Sequence, residues 1–399
     1  MTAHRTPLPP PLRVLVAGGG VAAIEAVLGL RALAGERVAI ELLSPGGEFV
    51  ERPSSVLFPF SGKAAPRVSL DRLAELGVVV HQGALGAADV AGHQIRTTDG
   101  GRLGYDRLIV ATGGRPVDGV PGATTFSGPR SAGAVERALR GARERVLFTM
   151  PAGGGWTLPL YELALLAARE LPDGPELTIV TAEPRPLDIF GAAASDALAR
   201  LLDRAGIGFE GDTLAEAVVG AALGTRDGRL LAADAVIALA GLIGPSLEGL
   251  PADAQGFIAV DAHGRVTGAP DVFAAGDVTA APIKQGGLAA QQADAAAEAI
   301  AAEAGAPVTP RPCRRVLRGV VLTGEAPLYL RHDLDDDRPL ARTLRGAPEG
   351  ISRSQLWWPS GKIAGRYVTG FLAAGATPGD TLSDRPRRPV GAHTTRPKD

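Results

Sequence analysis

Cysteine is nearly absent: the 399-residue chain contains one, Cys313. A single thiol cannot close an intramolecular disulfide, act as a redox dithiol or build a thiolate metal cage. The six histidines (His4, His81, His93, His263, His332 and His393) have no metal-ligand spacing, and no Ser/His/Asp arrangement is visible. Metal and hydrolase chemistry lose their basis. Surplus positive charge is also missing, since 41 basic and 43 acidic side chains leave a net charge of −2, and nucleic-acid binding is not expected. No apolar run is long enough to cross a bilayer, because charges such as Glu25 and Arg31 interrupt even the first. Met1–Pro11 holds three consecutive prolines and no apolar signal core, so it reads as a disordered leader and the protein as cytoplasmic. Lysine is scarce, and Lys63, Lys284, Lys362 and Lys398 gain weight as the only four.

What is present is a chain of 45% hydrophobic residues, long enough for about two to three domains. The segment Arg13–Ala17 reads as an apolar strand, Gly18-Gly19-Gly20 as a turn, Val21–Ala34 as a helix with Ala23, Val27 and Leu30 on one side, and Val38–Ser44 as a second strand. This is a βαβ unit of about 30 residues with Gly18-x-Gly20-x-x-Ala23 at its strand-to-helix turn. Glycine at the first position permits the tight bend, and at the second it lets a pyrophosphate approach the helix N-terminus. The N–H groups of Val21 and Ala22 belong to that N-terminus. The second strand ends in Ser44 where an acid that holds ribose is expected, with Glu41 three residues earlier. Ser44 either bonds the ribose or opens a turn with Pro45-Gly46-Gly47, and Arg52 stands near enough in sequence to meet the pyrophosphate.

From Val78 to Thr112 the pattern shifts to short strands around the turn Asp99-Gly100-Gly101, a small antiparallel insertion that returns through Leu108–Ala111. Pro116, Pro121 and Gly122 mark a linker. A second βαβ unit follows, with strand Val146–Met150, helix Leu158–Leu171 and strand Leu177–Thr181. Its turn, Pro151 to Pro159, has Leu158 in place of a third glycine or alanine, and two prolines without N–H groups. Glu162 on the helix and Glu183 after the next strand are the carboxylates available there for a ribose. Further on come Asp271-Val272-Phe273-Ala274-Ala275-Gly276-Asp277, the helix Gly286–Glu303, a boundary at Pro307, Pro310 and Pro312, and strands Val316–Leu322 and Leu328–Leu330. The Arg/Pro-rich residues after Gly379 read as a disordered tail.

Two segments, Tyr105-Asp106-Arg107-Leu108-Ile109-Val110-Ala111-Thr112-Gly113-Gly114 and Val272-Phe273-Ala274-Ala275-Gly276-Asp277, together with the first turn, resemble the paired signatures of flavoproteins with two dinucleotide domains. The resemblance spans Leu12–Ala304 and lies nearest the type II NADH:quinone and sulfide:quinone reductases, whose redox cysteines this chain lacks. It implies a glutathione-reductase-like α/β fold with two Rossmann-like units and a small C-terminal lid. The expected division is an FAD domain at 12–115 and 245–304, an NAD(P)-like domain at 116–244, a lid at 305–378 and a tail at 379–399.

By this resemblance Gly18, Gly20, Val21, Ala22, Ser44, Arg52, Ala111, Thr112, Gly113, Gly276, Asp277, Lys284 and Gln285 hold non-covalent FAD. Asp277 either accepts from the ribitol hydroxyls or caps the following helix. Lys284, in Pro282-Ile283-Lys284-Gln285-Gly286-Gly287, is the candidate catalytic residue, its ammonium facing negative charge on the flavin; a solvated loop lysine is the alternative. NAD(P)H binding stays open. The segment Gln355 to Tyr367, with Trp357, Trp358, Lys362 and Arg366, is a packed lid or dimer contact in one reading, and an acceptor pocket or bilayer contact in the other.

The implied function is an FAD-dependent oxidoreductase that moves two electrons from a small donor, NAD(P)H among the choices, to a quinone-like or other small acceptor. A reductase of an electron-carrier protein and a flavin-binding scaffold without turnover are the alternatives. A cysteine pair is required to shuttle sulfur through a disulfide. Cys313→Ser is therefore expected to leave flavin reduction by the true donor within a few-fold of the parent; loss of reduction with FAD still bound would establish a thiol mechanism.

Overall fold

The computed structural model describes residues 10–153, 155–334 and 350–373. The expected leader up to residue 9 and the tail from 379 lie outside the described residues. A strand that is apolar on both faces must be covered on both sides, and in Leu12–Ala17 the residues Val14, Leu15, Val16 and Ala17 are all buried. It lies inside a six-stranded sheet ordered Arg265–Val266, Ala269–Ala274, Arg107–Val110, Leu12–Ala17, Val38–Ser44, Val79–Gln82. Every pair in it is parallel except the antiparallel edge strand Arg265–Val266.

Helix Val21–Ala34 is apolar over most of its circumference, and a helix of that kind must be buried. It packs between this sheet and helix Gly286–Glu303. Small residues let the two helices approach, as a Cβ added at Gly29 would lie 3.3 Å from the Ala297 Cβ. The other face of the sheet is covered by the antiparallel strands Leu85–Asp89, Gln94–Thr97 and Arg102–Gly104.

A second sheet repeats this plan. Thr124–Phe126, Ala235–Leu239, Arg145–Thr149, Glu176–Val180 and Ile207–Glu210 pair in that order, all parallel. Helices Ala132–Gly141, Leu158–Glu170 and Ala192–Arg204 cover one face. Antiparallel strands Ala215–Val218, Ala222–Thr225 and Leu230–Ala232 cover the other. The chain crosses between the two units in an antiparallel ribbon, Arg115–Val117 against Gly241–Ile243.

The C-terminal part forms an antiparallel sheet of Val316–Val321, Leu328–Asp333 and Ile351–Ser352, followed by a short helix Val368–Leu372. Trp357 is fully buried and meets Tyr329 edge-on at 5.3 Å, so this indole is packed inside the lid and unavailable to a membrane surface. Two buried carboxylates fasten the segment. Lys362 Nζ donates to both oxygens of Glu162 at 2.6 and 2.7 Å, on the helix of the second unit. The Tyr367 and Val368 N–H groups donate to Glu25, on the first helix. Removing one partner from a buried ion pair such as Glu162–Lys362 costs about 3–5 kcal/mol, because the other charge is left without compensation.

Burial pushes the Glu25 carboxyl up to about 7, and Asp294 beside it is raised as well. Glu298, Arg311, Arg366 and Tyr367 are the other ionisable groups at this junction. A carboxyl raised by folding keeps its proton in the folded chain over a pH range in which the unfolded chain has released it. Its contribution to stability is complete below the ordinary carboxylate range and is lost as pH rises from about 4.5 to about 7. Glu25→Gln is expected to flatten the dependence of the urea midpoint on pH across that window, whatever the absolute loss of stability. An undiminished slope would show that Glu25 does not titrate there.

Candidate nucleotide and flavin site

The first turn is set by a close backbone approach. A Cβ at Gly18, whose φ is +142°, would lie 2.1 Å from the Ala111 carbonyl oxygen, so no other residue fits. The Gly18 N–H donates to the Leu43 carbonyl at 2.8 Å, which ties the turn to the second strand. Gly20 faces open space, with nothing within 4 Å of its added Cβ. Gly20 supplies no side chain to cap helix Val21–Ala34, and the N–H groups of Val21, Ala22 and Ala23 find no acceptor among the described residues. An open cradle at the positive end of a helix suits a pyrophosphate.

The other motifs converge on the same end of the sheet. Ala111 is buried under Gly18, Thr112 is exposed, and Gly113, at φ +77°, has open space where a Cβ would stand. Gly276 abuts the first helix, its added Cβ 3.2 Å from the Ala22 Cβ. Asp277 lies beside Gly114, whose added Cβ would be 3.5 Å from the Asp277 carbonyl oxygen. Burial raises the Asp277 carboxyl, with Lys284 and Arg52 opposing that shift through their charges. The Asp277 carboxylate accepts no hydrogen bond among the described residues. Arg52 is exposed and acts on Asp277 by charge.

Several expectations change once partners are visible. Asp277 does not cap the next helix: Gln285 does, its side chain accepting from the Leu288 N–H at 2.8 Å and donating to the Arg318 carbonyl at 3.0 Å. One N–H of the Gln285 amide and its oxygen are thereby engaged within the protein. Lys284 is not a solvated loop residue. Its ammonium donates to the Asp277 carbonyl at 3.2 Å and to the Thr279 carbonyl, and stands 3.7 Å above the Phe257 ring. Burial lowers its pKa, against the charges of Asp277 and Asp253. Ser44 takes the turn reading, donating to the Gly46 carbonyl at 2.8 Å, and its hydroxyl fills the space left by the absent side chain of Gly19. Glu41 is held by His81 at 2.5 Å.

Sequence reasoning missed Gln292 and Thr279, which fix the turn carrying Asp277. Gln292 accepts from the Gly276 N–H at 2.7 Å, and the Thr279 hydroxyl donates to the Gly276 carbonyl at 2.9 Å. The i, i+3 spacing of Gly276 and Thr279 was the one local signal for this turn.

In the second unit the two candidate ribose carboxylates are both occupied. Glu162 faces Lys362 and the Leu322 N–H instead of a turn. Glu183 accepts from the Thr157 hydroxyl at 2.9 Å and from the Tyr161 hydroxyl at 2.5 Å, and burial raises its pKa.

The residues of the first site fit FAD: an open helix N-terminus for the pyrophosphate and an acceptor in Asp277 for polyol hydroxyls. Asp277→Ala would leave those hydroxyls without a buried acceptor, at a cost of about 1–3 kcal/mol. The variant is expected to purify with less than half of the parent's flavin at limiting FAD. Full occupancy would remove Asp277 from the site.

Known proteins agree with this architecture. A family model described as pyridine nucleotide-disulphide oxidoreductase matches residues 12–300. The ferredoxin–NAD(+) reductase component of the anthranilate 1,2-dioxygenase system of Burkholderia cepacia is 34% identical over 207 residues, 47% of each chain. The corresponding component of the biphenyl dioxygenase system of Paraburkholderia xenovorans (strain LB400) is 33% identical over 225 residues, 50% of each. The chain thus spans about half the length of these curated relatives. Among solved structures, the sulfide:quinone oxidoreductase of Aquifex aeolicus superposes with a TM-score of 0.71 at 21% identity, over 81% of this chain and 84% of that one, a likeness of fold. With the family model matched along most of its length, the chain belongs to the pyridine nucleotide-disulphide oxidoreductases, a family whose cofactors are FAD and NAD(P)H.

Proposed function

We propose that this enzyme takes two electrons from a reduced donor and delivers them to a quinone-like or other small acceptor. The observation that carries this reading is the convergence of Gly18–Ala22, Ala111–Gly113 and Gly276–Asp277 on one open end of the first sheet, with no thiol among them. When bound there, FAD supplies the two-electron chemistry, and the protein contributes position and field. The N–H groups of Val21 and Ala22 hold the pyrophosphate and Asp277 the polyol. Lys284 grips the Asp277 and Thr279 carbonyls, which fixes the loop, and places a positive charge beside it. The expected division into 12–115 with 245–304, 116–244 and 305–378 belongs to the same proposal, with the interdomain ribbon at residues 115–117 and 241–243 as its support. So does a cytoplasmic location, for which the single cysteine is the support, alongside the lack of a helix long and apolar enough to cross a membrane among the described residues.

A second reading, reduction of an electron-carrier protein, draws on the names of the two bacterial relatives. Membership of an enzyme family sets aside the scaffold without turnover. The two remaining readings separate in one experiment. Photoreduced holoprotein, mixed anaerobically with a soluble quinone or with an oxidised ferredoxin, is expected to reoxidise saturably and faster with the quinone. Saturable reoxidation by the ferredoxin alone would favour the carrier reading and overturn this one.

A further inference from the structure

The two units share a plan, yet their strand-to-helix turns have opposite surroundings. In the first, the helix N-terminus is open and three N–H groups await an acceptor. The equivalent helix of the second, Leu158–Glu170, has proline at its second position, and the N–H of Leu160 is already given to the Thr157 carbonyl at 2.8 Å. Of its first three residues only Leu158 keeps an N–H for an anion.

Access to that N–H is closed as well. The Leu158 side chain is buried against the lid, where a Cβ at Gly319 would lie 2.8 Å from Leu158 Cδ1 and 3.0 Å from the Phe190 ring. Trp156 packs edge-on against Phe190, with ring centroids 5.9 Å apart. Gly155 is pressed onto the loop that carries Lys284: an added Cβ would be 2.6 Å from the Pro282 carbonyl oxygen and 3.0 Å from Lys284 Cγ. At the start of the loop, Pro151 fills the space beside Gly119. The carboxylate placed to hold a ribose, Glu183, is bonded on one oxygen by Thr157 and on the other by Tyr161. A ribose diol would have to displace both donors from a half-buried acid.

We infer that the second unit seats no pyridine nucleotide: the Gly155–Leu158 end of its turn is packed against the Lys284 loop and the lid, while Ala152 and Gly153 stay exposed, and Glu183 is taken by Tyr161 and Thr157. The inference rests on the two-electron reading above and narrows its donor to a reductant other than NAD(P)H held in the second unit. The unit itself serves as a wall of the flavin side, in contact with Lys284 through Gly155.

The test uses the holoprotein with FAD bound. NAD+, NADH, NADPH and ADP-ribose are each titrated anaerobically to about 1 mM, the upper end of ordinary KM values, with heat of binding and flavin absorbance recorded. The expected result is no saturable heat, and flavin reduction that is absent or rises linearly with NAD(P)H, the mark of collision without a seat. Saturable binding of any of the four, or a hyperbolic dependence of reduction rate on NAD(P)H, would overturn the inference. Reoxidation of the photoreduced protein by quinone reports the acceptor separately, so a failure of the donor inference and a failure of the function reading give different results.

Discussion

Everything at the site depends on one approach of backbone to backbone, Gly18 against the carbonyl of Ala111. The added Cβ at 2.1 Å from that oxygen leaves no room for any side chain, and it is this contact that brings the ends of strands Leu12–Ala17 and Arg107–Val110 into one turn. Parallel strands point their C-terminal ends the same way, so the helix N-terminus, the exposed Thr112 and the half-buried Asp277 gather at a single edge. Moving any one strand by a residue would carry its motif out of line with the other two.

The second unit shows what the same fold does when this opening is not kept. Its parallel sheet, with helices on one face and a small antiparallel cover on the other, repeats the layers of the first. Where the first turn leaves the helix N-terminus open, the second has Leu158 packed against Gly319 of the lid and Trp156 against Phe190. Apolar side chains at a helix N-terminus exclude both water and anions, so the turn becomes part of the core.

The lid joins the two units, through polar anchors that are themselves buried. Glu162 takes Lys362 and the Leu322 N–H, and Glu25 takes the N–H groups of Tyr367 and Val368. Each carboxylate is removed from water, and burial raises both of their pKa values; the Lys362 charge pulls Glu162 back down. Buried acids of this kind hold a segment in one place because any other arrangement leaves them without partners. The arrangement explains why two strongly buried glutamates sit on helices that are otherwise apolar.

The sequence by itself determined the elements and the first turn. Helices Val21–Ala34 and Gly286–Glu303 and strand Val38–Ser44 have the limits read from their apolar spacing, and Gly18 and Gly20 were legible because turn geometry is a local demand on φ and on side-chain volume. Charged residues were legible as candidates but not in their roles. Glu162 reads as a ribose ligand until Lys362, 200 residues later, is found against it, and Glu41 reads as a near-miss for the ribose acid until His81 is seen beside it. Lys284 reads equally well as a solvated loop lysine until the Asp277 and Thr279 carbonyls and the Phe257 ring are placed around it. A carboxylate or ammonium bonds whatever the fold brings within about 3 Å, and that neighbour is set by packing between distant segments. Local sequence fixes backbone conformation, whereas only the tertiary structure decides which polar groups meet.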